Sequence, residues 1–489
     1  VVVVLVLIAC GVLAYRFLAP ETAVTDLQGW RQADTQTIAE KLTEPGSSLL
    51  YPRVAWGADG PGYAETELQL YTGMIAALMR WFGEGEWAGH LLSALFVTGA
   101  VIVVFFDQRR RRGELAAIFA VVAFLGTRSM VHIATSIQPD SLSLLGYVLA
   151  FAALLRYRDY QKTWDLVLYT VFFGLATLTK PTSAQLGISS ALILFLTARP
   201  LLKRPGIWVA WGLVLFAGAA YLWHARHVYL LGGNSFGLFK GGNEKVPTLI
   251  ELTSPTQLYR AIRMIFVWGV GMLSTLALVV VALRRKLSAE IIGLLAGNVV
   301  MTILFIRITS NMSGSHYMVP AALIGSEAAA IIATDLAKTS WVPRLRNLAY
   351  GGLGLFLAVQ LFTVVRFRRT ASIIDPDAFR IHEAGLALSK LVRPNDRIIV
   401  RSKLYDPRVF YIAHVRGWHV NRFAEDGEKG DAEKFDDRVR HGAHYYVDPV
   451  AGPTPTAVDE WLKQHHARVV VRTSTGAIWD LTPTTAFRG

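Results

Sequence analysis

The run VTDLQGWRQADTQTIAEKL at 24–42 brings Asp26, Arg31, Gln32 and Asp34 into one short stretch of chain. Asp34 has two readings. It suits the N-cap of a helix starting at Thr35, since a carboxylate there accepts from unsatisfied helix N–H groups. Equally, a carboxylate held in a fixed loop can take a proton from a bound hydroxyl, with Asp26 as the next candidate. The segment GYAETELQLYTGMIAALMRWFG at 62–83 reads as an amphipathic surface helix with Glu65 and Glu67 at its start. Acids are favoured there by the helix dipole, or the two carboxylates help to orient a substrate or hold a metal. Lys180, in LTKP, ends a short apolar segment and is broken from the next by Pro181. Its ammonium either snorkels to a boundary or meets an anion such as a phosphate. Arg307 and the run Gly314-Ser315-His316-Tyr317 supply further groups able to donate to phosphate oxygens. Asp140, in IQPD, reads as a helix start or as a wall of the same pocket.

Other signals are weaker. His414, His419, His441 and His444 lack metal-ligand spacing and read as ordinary surface histidines. Gly232-Gly233 and Gly241-Gly242 follow no strand, so they are not a phosphate-binding fingerprint; they suit a mobile cover over a cavity or a plain loop. Trp418 could stack on a sugar face, but a core position suits it better.

The elements that must hold these residues follow from composition. The chain has 489 residues, 53% of them hydrophobic, 17% charged and one a cysteine. Soluble domains average about 25% charged residues. The deficit excludes a disordered chain and argues against an ordinary cytosolic enzyme. Cys10 lies in an apolar run, so neither a disulfide framework nor a cysteine-based metal site is expected. A spanning helix needs about 20 mostly apolar residues. Eleven segments qualify as candidates: 1–19, 88–106, 114–132, 141–156, 166–179, 184–198, 207–225, 264–283, 288–306, 317–336 and 348–365. The chain opens VVVVLVLIAC without a methionine, so it is expected to begin inside a longer protein. With no basic n-region and no cleavage site, 1–19 reads as a retained span.

Charge placement gives the expected orientation. The even-numbered connections carry Arg109–Arg112, then Arg156/Arg158/Lys162, Arg199/Lys203/Arg204, Arg284/Arg285/Lys286 and Lys338/Arg344/Arg346. Cytoplasmic loops collect Lys and Arg, so these loops are predicted to be cytoplasmic. The net charge of +13 is therefore largely a topology signal, about +9 in residues 1–365 and +4 beyond, and no nucleic-acid partner is expected. Residues 20–87, 127–140, 180–183, 226–263 and 307–316 then fall on the outer face. The loop 20–87 is acidic, with ten Asp/Glu against four Lys/Arg. Residues 366–489 are more polar and alternate strand and helix patterns. RIIV at 397–400, VRGWHV at 415–420, AHYYV at 443–447 and ARVVV at 467–471 read as strands, and 376–392 and 456–466 as helices. The expected fold is an α-helical polytopic membrane unit, 1–365, followed by a small extracytoplasmic α/β domain, 366–489.

These residues, in this order, resemble the membrane-embedded superfamily C glycosyltransferases (GT-C fold). The likeness is to bacterial relatives of protein O-mannosyltransferases and of lipid A aminoarabinose transferase. It rests on GWRQADTQTIAEKL, ETELQLYTGMIAAL, IQPD, LTKP and HYMVP at 316–320. It implies a sugar donor on a polyprenyl phosphate, inversion at the anomeric carbon, and a first-loop Asp that deprotonates the acceptor hydroxyl. Where many relatives carry an Asp-Glu pair, this chain has Arg31-Gln32, so Asp34 takes the base role before Asp26. Lys180, Arg307, His316 and Tyr317 are expected at the donor phosphate, and Arg31, Gln32, Glu65, Glu67 and Asp140 at the substrate. No cofactor is required, although a divalent metal is compatible with the site. Partners would be the lipid-linked donor, a glycan, lipid or protein acceptor, and membrane lipids of a bacterial inner membrane.

Two other classes fit the composition. A lipid-linked sugar flippase or secondary transporter would line a pathway with Lys180 and the acids, but many such folds carry paired repeats, and none is visible. A non-catalytic surface scaffold would leave the intramembrane Lys and the clustered loop acids without a role.

Overall fold

The computed structural model describes residues 28–236 apart from 59, 247–306, 312–338, 348, 376–402 apart from 394, 406–421, 435–449 and 456–482. Asp26, Arg307 and the candidate spans 1–19 and 348–365 lie outside the described residues, apart from residue 348.

The membrane half begins with α1 (Gly29–Thr43), which Gln28 opens in a left-handed conformation. Asp34 therefore sits inside α1 and caps nothing, which removes its N-cap reading. The helix expected from 62 begins only at Leu70, as α2 (Leu70–Phe82). Before it, β1 (Ala64–Glu65) pairs in parallel with β2 (Asn234–Ser235). Glu65 and Glu67 thus precede the helix, and the dipole account of them fails.

The apolar segments between 88 and 336 are all helical, in one piece or two. They form α3 (Trp87–Arg112), α4 (Glu114–Leu125), α5 (Arg128–Thr135), α6 (Asp140–Tyr160), α7 (Thr163–Thr179), α8 (Gln185–Thr197) and α9 (Pro205–Gly232). Then come the short α10 (Leu249–Thr253), α11 (Pro255–Met264), α12 (Met272–Leu283) and α13 (Ala289–Leu304). A tight 3-10 stretch, Met312–Ala321, leads into α14 (Ala322–Leu336). The segment 114–132 is two helices: after Gly126, the Thr127 hydroxyl accepts from Met130 N at 3.2 Å and caps α5. The segment 264–283 is likewise broken, at Gly271, whose φ of 83° suits glycine. Helix α9 runs on to Gly232, so 226–232 belong to it rather than to a loop.

Among the described residues, four helices are long and apolar enough to cross a membrane, or five if the broken pair around Gly271 is one span. Their packing is that of a bundle built for lipid. Val97, Phe124, Tyr147, Leu154, Ile193 and Leu294 share one continuous core across several helices. Gly146 lets α6 and α7 touch, since a Cβ there would meet Ala176 N and Phe172 O, both at 3.1 Å. Trp208, Leu215, Phe216 and Trp223 point outward from α9, an apolar face far too large for water. This is a multi-pass membrane protein.

Charge is concentrated at the two ends of the bundle. At one end Arg111 and Arg112 reach the buried Glu327, and Arg158 donates to Glu290 at 2.6 Å. At the other lie Arg31, Glu67, Asp140 and Lys180. Asp140 and Arg158 mark opposite ends of α6, separated by roughly 30 Å at 1.5 Å per residue, about the thickness of a bilayer core.

Residues 376–482 form a five-stranded sheet flanked by helices. α15 (Pro376–Ser389) leads to β3 (Arg397–Ser402), followed by α16 (Arg408–Ala413) and β4 (Arg416–Asn421). Then follow β5 (Ala443–Asp448), α17 (Thr456–Gln464), β6 (Arg468–Arg472) and β7 (Ala477–Asp480). The order is β4-β3-β5-β7-β6, with β4, β3 and β5 parallel and β5-β7-β6 antiparallel. Alternation along β3 feeds two cores: Ile398 and Val400 pack with Phe410 and Leu388, Ile399 with Trp418 and Tyr446. Trp418 is therefore a core residue. His419 is also buried, against the surface reading, and its pKa falls to about 3 because burial disfavours the imidazolium.

Candidate active site

Five separate pieces of chain meet at one end of the bundle. α1 supplies Arg31, the segment between β1 and α2 supplies Glu67, and the first residue of α6 is Asp140. The residue after α7 is Lys180, and the 3-10 stretch supplies His316 and Tyr317. Arg31 reaches Asp140 at 3.3 Å and Glu67 at 3.7 Å. Lys180 Nζ lies 3.4 Å from Asp140 and 3.5 Å from Glu67, and 5.0 Å from the centre of the Tyr317 ring. The last distance is that of a cation held by a ring face. Lys180 is 4% exposed, so it is buried among these partners and does not snorkel. Asp140 is likewise part of the cluster and not only a helix start.

His316 is turned toward Arg31. Arg31 Nη1 lies 2.7 Å from His316 Nε2. A guanidinium can only donate, so Nε2 is the nitrogen that accepts from Arg31. Nδ1 sits 3.1 Å from the Gln28 side-chain amide nitrogen. Gln28 in turn meets Gln138 at 3.1 Å. The imidazole, with both nitrogens engaged, orients the arginine.

Asp34 sits three residues after Arg31, on the same side of α1, where side chains are about 5–6 Å apart. Asp34 Oδ1 accepts from Trp56 Nε1 at 2.9 Å. Burial pushes the Asp34 carboxyl well above the usual carboxylate range, Asp406 adds to the rise, and the Trp56 bond and Arg31 oppose it. A buried carboxyl with a raised pKa, one helical turn from Arg31 of the ion cluster, is suited to receive a proton.

Two sequence-selected residues take other positions. Gln32 Oε1 accepts from Ile137 N at 2.8 Å, which fixes the IQPD loop and so sets where α6 and Asp140 begin. Glu65 is fully buried and accepts from the Ser235 hydroxyl, outside the ion cluster. Asp26 and Arg307 fall outside the described residues. Sequence reasoning missed Trp56, Gln28 and Gln138, which lie in loops without periodicity. Among the described residues no group of three His, Cys, Asp or Glu is placed to hold a metal ion.

The residues after 376 complete the surroundings of Asp34. Gly417 N donates to Ala55 O at 3.1 Å and Ala58 N to Gly417 O at 3.2 Å, so β4 grips the loop that carries Trp56. Tyr411 OH donates to Glu86 Oε1 at 2.8 Å, beside the packing of Tyr411 on Ala33.

This architecture, an apolar helical bundle with an ion cluster at one end and a sheet docked over it, is the fold of solved ArnT structures. Residues 70–224 match the family model described as dolichyl-phosphate-mannose-protein mannosyltransferase. The crystal structure of ArnT from Cupriavidus metallidurans bound to undecaprenyl phosphate superposes with a TM-score of 0.70 at 14% identity, covering 97% of each chain. The apo structure of the same protein gives 0.61 at 15% identity, covering 98% of each. No curated protein matches the chain by sequence.

Proposed function

We propose that the chain is an inverting glycosyltransferase that moves one sugar from a polyprenyl-phosphate donor to an acceptor hydroxyl on the extracytoplasmic side. The observation that carries this reading is the pairing of the part-buried Arg31 and the buried Lys180 with a buried carboxyl, Asp34, one turn from Arg31 on α1. The undecaprenyl phosphate bound by the similar ArnT structure supplies the donor class. The mannosyltransferase family match over 70–224 supplies the transfer. The side follows from the basic loops, which end α3 and α6 at the opposite face.

In this mechanism the donor phosphate meets Lys180 and Arg31, while His316 holds Arg31 in place and Tyr317 lies under the ammonium. The acceptor oxygen attacks the anomeric carbon from the face opposite the phosphate. The bond from that carbon to the phosphate oxygen breaks, and its electron pair leaves with the lipid phosphate. Asp34 takes the acceptor proton. The cations stabilise charge that grows on the leaving oxygen, the kind of term that dominates such catalysis. No nucleotide and no cofactor is required, and a divalent metal is compatible with the scheme.

Membranes carrying the protein, given undecaprenyl phosphate bearing labelled pentoses or hexoses, should release free undecaprenyl phosphate as label moves to acceptor. Asp34→Asn should lower turnover by about 100-fold or more, the usual worth of a general base. Turnover near the wild-type rate would remove Asp34 from that role and leave Asp26 as the candidate. Donor translocation without cleavage would identify a flippase instead.

A further inference from the structure

The strand order of the sheet reverses at β3. The chain passes from β3 through α16 to β4 on one side, and the next strand, β5, lies on the other side of β3. In parallel sheets, ligands bind outside the carboxyl ends of the strands at such a reversal. Here those ends turn polar after apolar strands: Ile399 and Val400 give way to Arg401 and Ser402, and Tyr446 and Val447 to Asp448. Arg401 Nη1 donates to Asp448 Oδ2 at 2.7 Å. Just beyond β3, Arg408 Nε donates to both oxygens of Asp406, at 2.9 and 3.0 Å, and Arg408 Nη2 donates to Oδ2 at 2.6 Å. Arg401, Arg408 and Asp448 are buried. Apolar side chains in place of a buried ion pair are often neutral or stabilising, so folding alone does not account for these pairs.

This polar rim lies against the candidate base. Asp406 N donates to Ser402 Oγ at 3.2 Å, and Ser402 Oγ lies 2.9 Å from His419 Nδ1. The His419 ring is 6.0 Å from the ring of Trp56, whose N–H holds Asp34. α16 packs on α1 through Tyr411 and Ala33, the residue before Asp34. Asp406 is near enough for its charge to oppose ionisation of Asp34. Asp34 therefore has the ion cluster beside it at Arg31 and the rim of the sheet beside it at Asp406. In the transfer proposed above the phosphate takes the side of Arg31 and Lys180, which leaves the rim to the acceptor.

We propose that the carboxyl rim of the sheet, Asp406 and Arg408 with Arg401 and Asp448, is the acceptor subsite, and that the acceptor is an uncharged glycan offering a hydroxyl to Asp34. This rests on the transfer reading given above. Each guanidinium of the rim sits beside a carboxylate, so fixed donors and fixed acceptors alternate. Neighbouring sugar hydroxyls match that pattern, because each can donate and accept. Asp406, Asp448 and the ionised Asp34 work against a phosphorylated or uronate-bearing acceptor, since like charges placed together reject a partner. The rim residues bind and select the acceptor, and the proton still goes to Asp34.

The test is binding of purified full-length protein in detergent to an array of neutral, uronate-bearing and phosphorylated oligosaccharides. Release of undecaprenyl phosphate from labelled hexose and pentose donors is measured alongside. Neutral oligosaccharides should be held about ten-fold or more tighter than their phosphorylated counterparts. Arg408→Gln should weaken neutral binding by about ten-fold or more, with binding of undecaprenyl phosphate unchanged. Asp406→Asn, which keeps the shape of the pair, should narrow the preference for neutral over phosphorylated oligosaccharides, a change that a merely structural role does not produce. Preference for anionic oligosaccharides, retention of none, or neutral binding untouched by both variants would overturn this inference alone, as long as the wild type still cleaves the donor. Equal loss of glycan and undecaprenyl phosphate binding with a lowered thermal midpoint would mark both residues as structural and overturn it too. A wild type that releases no undecaprenyl phosphate from any of the donors would overturn the transfer reading and this inference with it.

Discussion

Trp56 donates its indole N–H to Asp34 at 2.9 Å, and the loop bearing Trp56 is itself bridged to Gly417 of the sheet. The candidate base therefore has its protonation set from two sides. Burial favours the neutral acid, and the indole N–H favours the anion.

The sign of the pH dependence follows. Asp34 must be ionised to accept a proton, and its pKa lies well above the ordinary value of about 3.9. Transfer should fall as pH decreases, with a midpoint displaced upward from the usual carboxylate range. Trp56→Phe removes a hydrogen bond to a charged group, worth about 1.5–3 kcal/mol. The acid limb of kcat/KM should then move up by about one to two pH units. A pH–rate profile of the variant that overlays the wild type would contradict the role given to this pair.

The Arg31–His316 contact gives a second expectation. His316→Ala removes the acceptor that holds Arg31 toward Asp140 and Lys180. A charge-assisted hydrogen bond of about 1.5–3 kcal/mol corresponds to a donor KM raised by about 10- to 150-fold. His316→Gln, which keeps an acceptor, should restore part of it. Steady-state kinetics with varied donor decide the matter. An equal loss in both variants, confined to kcat, would point instead to direct contact with the reacting atoms.

Much of this arrangement was legible in the sequence, and the missing part has a physical cause. The helices between 88 and 336 were legible because apolar length is a local property. Lys180, Asp140, Arg31, Glu67 and His316 were each marked by residue type and neighbours. Their pairings were not, because Arg31 meets His316 across 285 positions and no local pattern encodes that contact. Asp34 looked like a cap because the true start of α1 has no capping side chain: Gln28 turns the chain through a left-handed conformation. Glu65 looked like a helix start because its strand partner, Asn234–Ser235, is remote in the chain. His419 read as exposed because its burial depends on the sheet and on Phe410, 4.8 Å away ring to ring.

At the opposite end of the bundle, Glu327 takes hydrogen bonds from Gln108, Arg111 and Arg112 while 1% exposed. Glu327→Gln removes the one counter-charge that Arg112 has among the described residues and leaves Arg111 to Asp107 and, more distantly, Glu290. Breaking a buried ion pair in this way costs about 3–5 kcal/mol. The thermal midpoint in detergent should drop by several degrees, while donor KM among the surviving folded molecules stays unchanged, because the ion cluster lies at the far end of α6. A raised donor KM with an unchanged midpoint would reverse that assignment.

Gly417 tests the link between the sheet and the base. A Cβ at this position would lie 2.0 Å from Ile398 O and 2.8 Å from the Phe410 ring, so Gly417→Val must push β4 away from β3. The same residue holds both Ala55 and Ala58, and displacing it frees the Trp56 loop. Asp34 would lose its indole partner and gain water. The expected result is a large loss of transfer with binding of undecaprenyl phosphate largely retained, since Arg31, Asp140 and Lys180 are held by α1, α6 and the end of α7. Hydrogen exchange should show new exposure at residues 52–58 in the variant. Normal transfer by a protein whose exchange at 52–58 has risen would show that the docked sheet does not set the state of Asp34.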